Sequence, residues 1–193
     1  MRGHRNLPHG FEGRSSRFYD FVARRVLRGV YRRLAHDVAS AAPEGAAVLD
    51  VGTGPGVLLL ELARLRPDLR LTGVDLSADM VANAASNLAA HPNATAQVGD
   101  VTALPFEDGS FDLVVSSFSA HHWDHPEAAV PELARVLRPG GRVRVYDFRF
   151  GPFDLITTTA GREGLFAAAP PSRESVRTGV PFFGRCTRLV LSS

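Results

Sequence analysis

Apolar residues recur every four positions from Phe18 through Val22, Val26, Val30, Leu34 and Val38. That spacing lines them along one face of a helix. It predicts a cap helix over 17–42, opening a single domain that runs from 17 to 193. Residues 1–16 are polar with Gly and Pro and read as a mobile arm. Ala42-Pro43-Glu44-Gly45 then breaks the pattern, and short apolar runs alternate with helical stretches. Strands are predicted at Ala46–Val51, Leu71–Val74, Ala94–Val98, Phe111–Ser116 and Arg142–Phe148. Between them fall helices over Pro55–Arg66, with Leu58, Leu59, Leu62 and Leu65 on the apolar face, and from an N-cap at Ser77 to about Ala90. A third runs over Pro126–Leu137, ended by Pro139-Gly140-Gly141. Strands alternating with helices of this length imply βαβ units and a parallel sheet. Further on, Leu155–Ala168 reads as a helix, and Val176–Phe183 and Cys186–Leu191 as strands joined by a turn at Gly184. They would close the sheet as an antiparallel pair.

A chain of 193 residues favours one domain with a sizeable core. No apolar run approaches the length of a membrane span, and MRGHRNLPHGFEGR lacks the apolar stretch of a secretory signal. A cytoplasmic location is therefore expected. The single cysteine, Cys186, excludes an internal disulfide and reads as a small core residue, and no Cys/His set has metal-ligand spacing, so no metal is expected. Charge adds one feature. Residues 1–33 hold nine Arg against Glu12 and Asp20, whereas 34–193 hold thirteen Arg against eighteen acidic residues. Arg24, Arg25, Arg28, Arg32 and Arg33 share the first helix. A solvated face is the plainest reading, weak contact with an anionic membrane surface the second. Nucleic acid comes last, because no base-reading pattern accompanies the charge.

The segment Val48-Leu49-Asp50-Val51-Gly52-Thr53-Gly54-Pro55-Gly56 is a strand, a glycine-rich turn and a helix start in succession. Glycines let backbone pass close beneath a ligand, and the helix start offers free N–H groups to its polar atoms. About 20 residues on, where nucleotide-binding βαβ units place an acid on ribose hydroxyls, Asp75 closes the second strand. A nicotinamide site would want G-x-G-x-x-G. Here the spacing is Gly52-x-Gly54-x-Gly56, with Val57 where the third glycine would fall, and little chain remains for a second domain. Both facts weigh against a dehydrogenase.

From Val48 to Asp147 the chain resembles a class I S-adenosylmethionine-dependent methyltransferase of the small-molecule group (type 11) that includes ubiquinone and menaquinone biosynthesis enzymes. The resemblance rests on Val48–Gly56, Gly73–Met80, Gly99-Asp100-Val101, Leu104-Pro105-Phe106, Ser110–Val114 and Glu132–Gly141. It implies an α/β, Rossmann-like, mostly parallel seven-stranded sheet with helices on both faces and an antiparallel C-terminal strand pair. It also implies S-adenosylmethionine as cofactor, S-adenosylhomocysteine as product, and methyl transfer by in-line displacement to an O, N or C atom of a small-molecule acceptor. Modification of RNA or protein, and a regulator that binds the cofactor without transferring, stay open as alternatives.

By the same resemblance Gly52, Gly54 and Gly56 would approach the methionine portion and ribose, with Thr53 in the same turn. Asp50 would hold the turn or meet the ammonium group, and Asp75 would bind the ribose hydroxyls. Leu76 and Met80 would pack on the adenine, though ordinary helix packing suits Met80 nearly as well. Asp100 would accept from the adenine amino group with Val101 beside it, and Ser116 would border the site. Ser116–Trp123 reads Ser-Ser-Phe-Ser-Ala-His-His-Trp, without the Asn/Asp-Pro-Pro-aromatic motif of amino-methylating nucleic-acid enzymes. His122, slightly ahead of His121, is a candidate general base. Phe18, Tyr19 and Phe21 are candidate cover over the site, and Tyr19 could reach cofactor or acceptor. The stretch between the fifth strand and Val176 is short for a substrate cap, which leaves an open pocket or completion by a homodimer partner.

Overall fold

The computed structural model describes residues 28–180 and 183–193. Helix α1 (Arg28–Ala41) leads into β1 (Ala47–Val51), α2 (Val57–Leu65), β2 (Arg70–Asp75), α3 (Ala78–Leu88) and β3 (Ala94–Val98). Next come β4 (Phe111–Ser117), a 3₁₀ turn (Ala120–His122), α4 (Pro126–Arg135), β5 (Leu137–Asp147), α5 (Phe153–Arg162), β6 (Ala169–Val180) and β7 (Phe183–Ser192). The segment expected as a mobile arm, the expected start of the cap helix, Phe18, Tyr19, Phe21, Arg24 and Arg25 lie outside the described residues.

The seven strands form one sheet in the order β3-β2-β1-β4-β5-β7-β6. The first five are parallel; β7 runs antiparallel to both β5 and β6. The centre of such a sheet is covered on both faces, so its strands read as unbroken apolar runs rather than alternating ones. β1, Ala-Val-Leu-Asp-Val, is accordingly buried at all five positions. Its side chains still alternate between faces. Val48 joins Leu34, Leu58, Leu62 and Tyr146 on the side of α1 and α2, whereas Leu49 and Val51 join Leu133, Val145 and Ile156 on the side of α4 and α5.

Chain order reverses at β1, which lies between β2 and β4. Crossovers leave this point on opposite faces and open a crevice at the carboxyl edge, the usual ligand position in open α/β sheets. Ser77 caps α3 as expected, its side chain accepting from the Met80 amide at 3.4 Å.

Several boundaries differ from the sequence reading. α4 ends at Arg135, and Leu137 already pairs with Phe111. Leu113 pairs with Arg142, so Arg138–Gly141 bulge out of β5 rather than end the helix. Leu65 is 37% exposed at the last turn of α2, off the face that buries Leu58, Leu59 and Leu62. Val180 pairs with Phe183, which puts Gly184 inside β7. β6 begins at Ala169, and the helix before it ends at Arg162. Cys186 is buried on β7. No described helix is long and apolar enough to cross a membrane.

One polar cluster ties α1 to the far half of the sheet. The Asp37 carboxylate takes donors from Arg144 at 3.0 Å, from Arg188 at 2.6 and 2.7 Å, and from the Tyr146 hydroxyl. Arg188 also reaches Glu174 on β6. Burial would raise the Asp37 pKa, but the Arg188 and Tyr146 hydrogen bonds and the two guanidinium charges win and hold it low. On the outer face of α1, Arg28, Arg32 and Arg33 are exposed, and Arg28 reaches Glu61 at 3.1 Å.

Candidate functional site

Beyond β1 the chain passes through three left-handed glycines, Gly52, Gly54 and Gly56, at φ 69°, 54° and 74°. The left-handed conformation crowds a Cβ against backbone, at roughly 1–2 kcal/mol. At two of these positions space is also missing. A Cβ on Gly52 would fall 2.3 Å from Ser119 Oγ, and one on Gly56 3.1 Å from Ala84 Cβ. The turn is therefore the seat on which the loop after β4 and helix α3 rest. That role is additional to any ligand approach the sequence suggests.

Asp75 fastens the turn from β2. Its Oδ2 accepts from the Gly54 amide at 2.8 Å and its Oδ1 from the Ser77 amide at 3.0 Å. Each oxygen retains further acceptor capacity. The Gly52 and Thr53 amides share the Val74 carbonyl, both at 2.9 Å. Thr53 Oγ1 donates to Asp50 Oδ2 at 2.8 Å, deep beneath the turn. Asp50 is fully buried, and its Oδ1 has no hydrogen-bond partner among the described residues. Burial pushes its pKa up to about 7, the Thr53 bond pulling the other way and the nearby Asp75 charge adding to the rise.

The loop after β4 closes the crevice from the other side. Ser119 Oγ donates to the Val51 carbonyl at 3.0 Å, so the 2.7 Å contact between the two hydroxyls is a bond from Ser116 to Ser119. Phe118 has φ 53°, rare for a residue with a large side chain. Its amide donates to the Tyr146 carbonyl at 2.8 Å, and its ring meets Tyr31 and Phe148. A loop held this firmly in a strained conformation fixes the position of the residues after it.

The first of these to carry candidate chemistry is His121. Its amide donates to Asp147 Oδ2 at 2.9 Å, and its Nδ1 lies 2.7 Å from Asp147 Oδ1. Asp147 ends β5, is fully buried, and also accepts from the Phe148 amide at 2.7 Å. His122 stands beside His121, ring centroids 4.0 Å apart. Burial, then the His121 charge, lower the His122 pKa against an opposing pull from Asp147.

The remaining expected residues line the ends of β2 and β3. Leu76 is 67% exposed, whereas Met80 is buried in the packing of α3. Asp100 is exposed, its Oδ1 taking both the amide and the hydroxyl of Thr102 at 2.8 Å; Val101 beside it is half-buried. Tyr19 lies outside the described residues.

Residues 48–141 match the family described as methyltransferase domain. The chain is thus similar to methyltransferases over just under half of its length. It is 37% identical over 136 residues to the ubiquinone/menaquinone biosynthesis C-methyltransferase UbiE of Geobacter sulfurreducens, covering 67% of this chain and 53% of that one. To the malonyl-[acyl-carrier protein] O-methyltransferase of Hahella chejuensis it is 37% identical over 122 residues, 61% of this chain and 43% of the other. It thus spans about half the length of these relatives. A Methanococcus maripaludis structure assigned to the S-adenosyl-L-methionine-dependent methyltransferases superposes with a TM-score of 0.74 at 20% identity, covering 99% of this chain and 97% of that one. At that identity the likeness speaks for the fold.

One observation in the geometry of the site fits S-adenosylmethionine in particular. A buried acceptor without a partner costs about 1–3 kcal/mol and calls for an explanation. Asp50 Oδ1 is such an acceptor, at the base of the glycine turn, and a cationic ammonium donor would satisfy it once a local opening of the turn admits it. Other family-matching residues serve structure. Glu132 accepts from the Leu104 amide at 2.7 Å, and Arg135 donates to the carbonyls of Phe106 and Leu104, stapling the segment after β3 to α4. The sequence reading missed Ser119 and Asp147. Asp147 left one usable signal, an acid at the carboxyl end of an apolar strand.

Proposed function

We propose that this chain transfers a methyl group from S-adenosylmethionine to an O, N or C atom of a small-molecule acceptor. The observation that carries this is the joining of Asp50, the left-handed glycine turn and Asp75 at the β1/β4 switch point, in a chain similar to methyltransferases. On this proposal, Asp75 takes the ribose hydroxyls on its remaining acceptor capacity while still holding Gly54. Asp50 faces the ammonium group, Leu76 and Val101 flank the base, and Asp100 accepts from its amine through Oδ2. Met80, being buried, supports α3 beneath Leu76. When bound, the cofactor supplies a methyl group made electrophilic by its sulfonium. The protein holds the acceptor's nucleophile in line and excludes competing water. Such alignment contributes roughly 7–11 kcal/mol.

Calorimetry with S-adenosylmethionine and S-adenosylhomocysteine tests the site. Asp75→Ala is expected to weaken both by about 10- to 100-fold, since hydrogen bonds to a charged group contribute about 1.5–3 kcal/mol. Unchanged affinity in a variant that unfolds at the wild-type temperature would refute the assignment. Turnover of labelled cofactor against metabolite extracts then separates a transferase from a binder. The five arginines between 24 and 33 support a weaker proposal, contact with an anionic membrane surface. Absence of liposome binding at low salt would remove it. The short segment before β6 is what supports a homodimer, which sedimentation would detect.

A further inference from the structure

Asp147 presents its two oxygens to three N–H donors: the amides of His121 and Phe148 and the His121 ring. An acceptor in that position fixes the ring proton on Nδ1 and leaves Nε2 with the lone pair. The neighbouring His122 is set apart by burial, which disfavours its charged form. Beside the His121 ring stand Phe148, centroids 5.0 Å apart, and Phe150, 6.1 Å away. Those two rings stack on each other at 5.1 Å and 6°. Phe150 is 71% exposed, an aromatic surface at the carboxyl edge that the core does not use. The connection to the glycine turn is direct. Ser119, two residues before His121, is the residue packed on Gly52.

Resting on the methyl transfer proposed above, we propose that His121 is the catalytic base, oriented by Asp147, and that the acceptor is a flat aromatic ring bearing a hydroxyl, lying on Phe148 and Phe150. The O–H bond breaks and its proton passes to His121 Nε2. The oxygen lone pair forms the new O–CH₃ bond, and the S–CH₃ electron pair returns to sulfur as the thioether of S-adenosylhomocysteine. Asp147 is a positioning residue: it holds the tautomer and stabilises the imidazolium that forms. A phenolic hydroxyl, with a pKa near 10 like that of tyrosine, is nearly all neutral in water near neutrality. A base is therefore useful to it, and unnecessary to a phenol that is already ionised.

The test uses that difference. Methyl transfer from labelled S-adenosylmethionine is measured to unsubstituted phenol and to 4-nitrophenol, at a pH where the latter is already the phenolate. His121→Gln is expected to lose about 10²–10⁴-fold with phenol and less than tenfold with 4-nitrophenolate, and added imidazole is expected to restore phenol turnover to His121→Ala. Asp147→Asn is expected to show the same selective loss, with the His121 ring proton moved to Nε2 in the nitrogen NMR spectrum. An equal loss on both phenols, or an unaltered ring spectrum in Asp147→Asn, would overturn the roles given to the pair. A wild-type protein that binds S-adenosylhomocysteine yet methylates neither phenol would overturn the acceptor class. Failure to bind S-adenosylhomocysteine would instead strike the proposed function beneath it.

Discussion

The carboxyl edge at β1 and the clamp around Asp37 are both polar, both largely buried, and assembled in opposite ways. At the edge, short side-chain bonds between near neighbours, Thr53 to Asp50, Ser77 to Asp75 and Ser116 to Ser119, stand beside backbone bonds between strands. Backbone amides supply many of the donors, and among the described residues one carboxylate oxygen has no partner. At the clamp, side chains 107 and 151 positions apart meet on one carboxylate. The clamp's acid is fully subscribed, whereas among the described residues it is the Nε groups of Arg144 and Arg188 that have no partner there. The edge keeps acceptor capacity for a ligand. The clamp commits its capacity to holding α1 against β5 and β7. Acceptors with room to spare mark the site; a saturated acid between two guanidinium groups marks a joint.

If this contrast is right, the clamp should dominate stability. Asp37→Ala leaves Arg144 and Arg188, whose side chains are 12% and 17% exposed, without their common partner. Removing one member of a buried ion pair costs about 3–5 kcal/mol, and urea unfolding should show a loss of that order. A loss below about 1 kcal/mol, the range of surface pairs, would mean that α1 is held by its apolar face alone. The pH sign comes from the depressed Asp37 pKa. The stabilisation is present above the unfolded carboxylate value and falls away as acid titrates the folded group. Asp37→Ala should therefore flatten part of the acid limb of the stability curve.

The same contrast explains what could be read in the sequence. Parallel strands and their helices announce themselves by period, and the glycine turn and Asp75 by spacing, because those constraints act within about twenty-five residues. Asp37 looks like any polar residue on an amphipathic helix, since nothing local points to Arg188. His121 and His122 are adjacent and alike in sequence. Only the position of Asp147, 26 residues on and at the end of the neighbouring strand, separates them. The limits of α4 and β5 were hidden for a related reason. Pro139-Gly140-Gly141 reads as a helix stop, but pairing of Leu137 with Phe111 takes the strand back past it. Tertiary pairing settles such cases, and a single sequence does not show it.

A second test asks whether the glycine turn is a seat for protein as well as for ligand. Gly52→Ala combines a left-handed penalty of roughly 1–2 kcal/mol with a clash against Ser119, and overpacking costs about 1–3 kcal/mol. The expected loss is about 2–4 kcal/mol, with the Ser119 loop displaced. Gly52→Ala with Ser119→Gly should relieve the clash and retain the conformational penalty. If the double variant is no more stable than the single one, Ser119 does not rest on the turn as described.

The smallest effect is expected at Asp50, and it has the opposite sign to the first. Its folded pKa, about 7, lies above the ordinary carboxylate value of 3.8. Between those values the unfolded chain releases a proton that the folded protein keeps, so stability falls as pH rises and levels off beyond about 7. A shift of this size could contribute up to about 4 kcal/mol at 1.36 kcal/mol per pH unit. Asp50→Asn removes the titration but adds buried N–H donors, which cost about 1–3 kcal/mol if unpaired. The ligand-free variant should therefore be more stable than wild type by about 1–2 kcal/mol at pH 8 and no more stable at pH 4. S-adenosylhomocysteine affinity should fall about tenfold or more, because the group that meets the ammonium has lost its charge. A variant that gained stability at both pH values, with unchanged affinity, would show that the buried Oδ1 of Asp50 serves neither titration nor ligand. The difference between edge and clamp would then be one of composition alone.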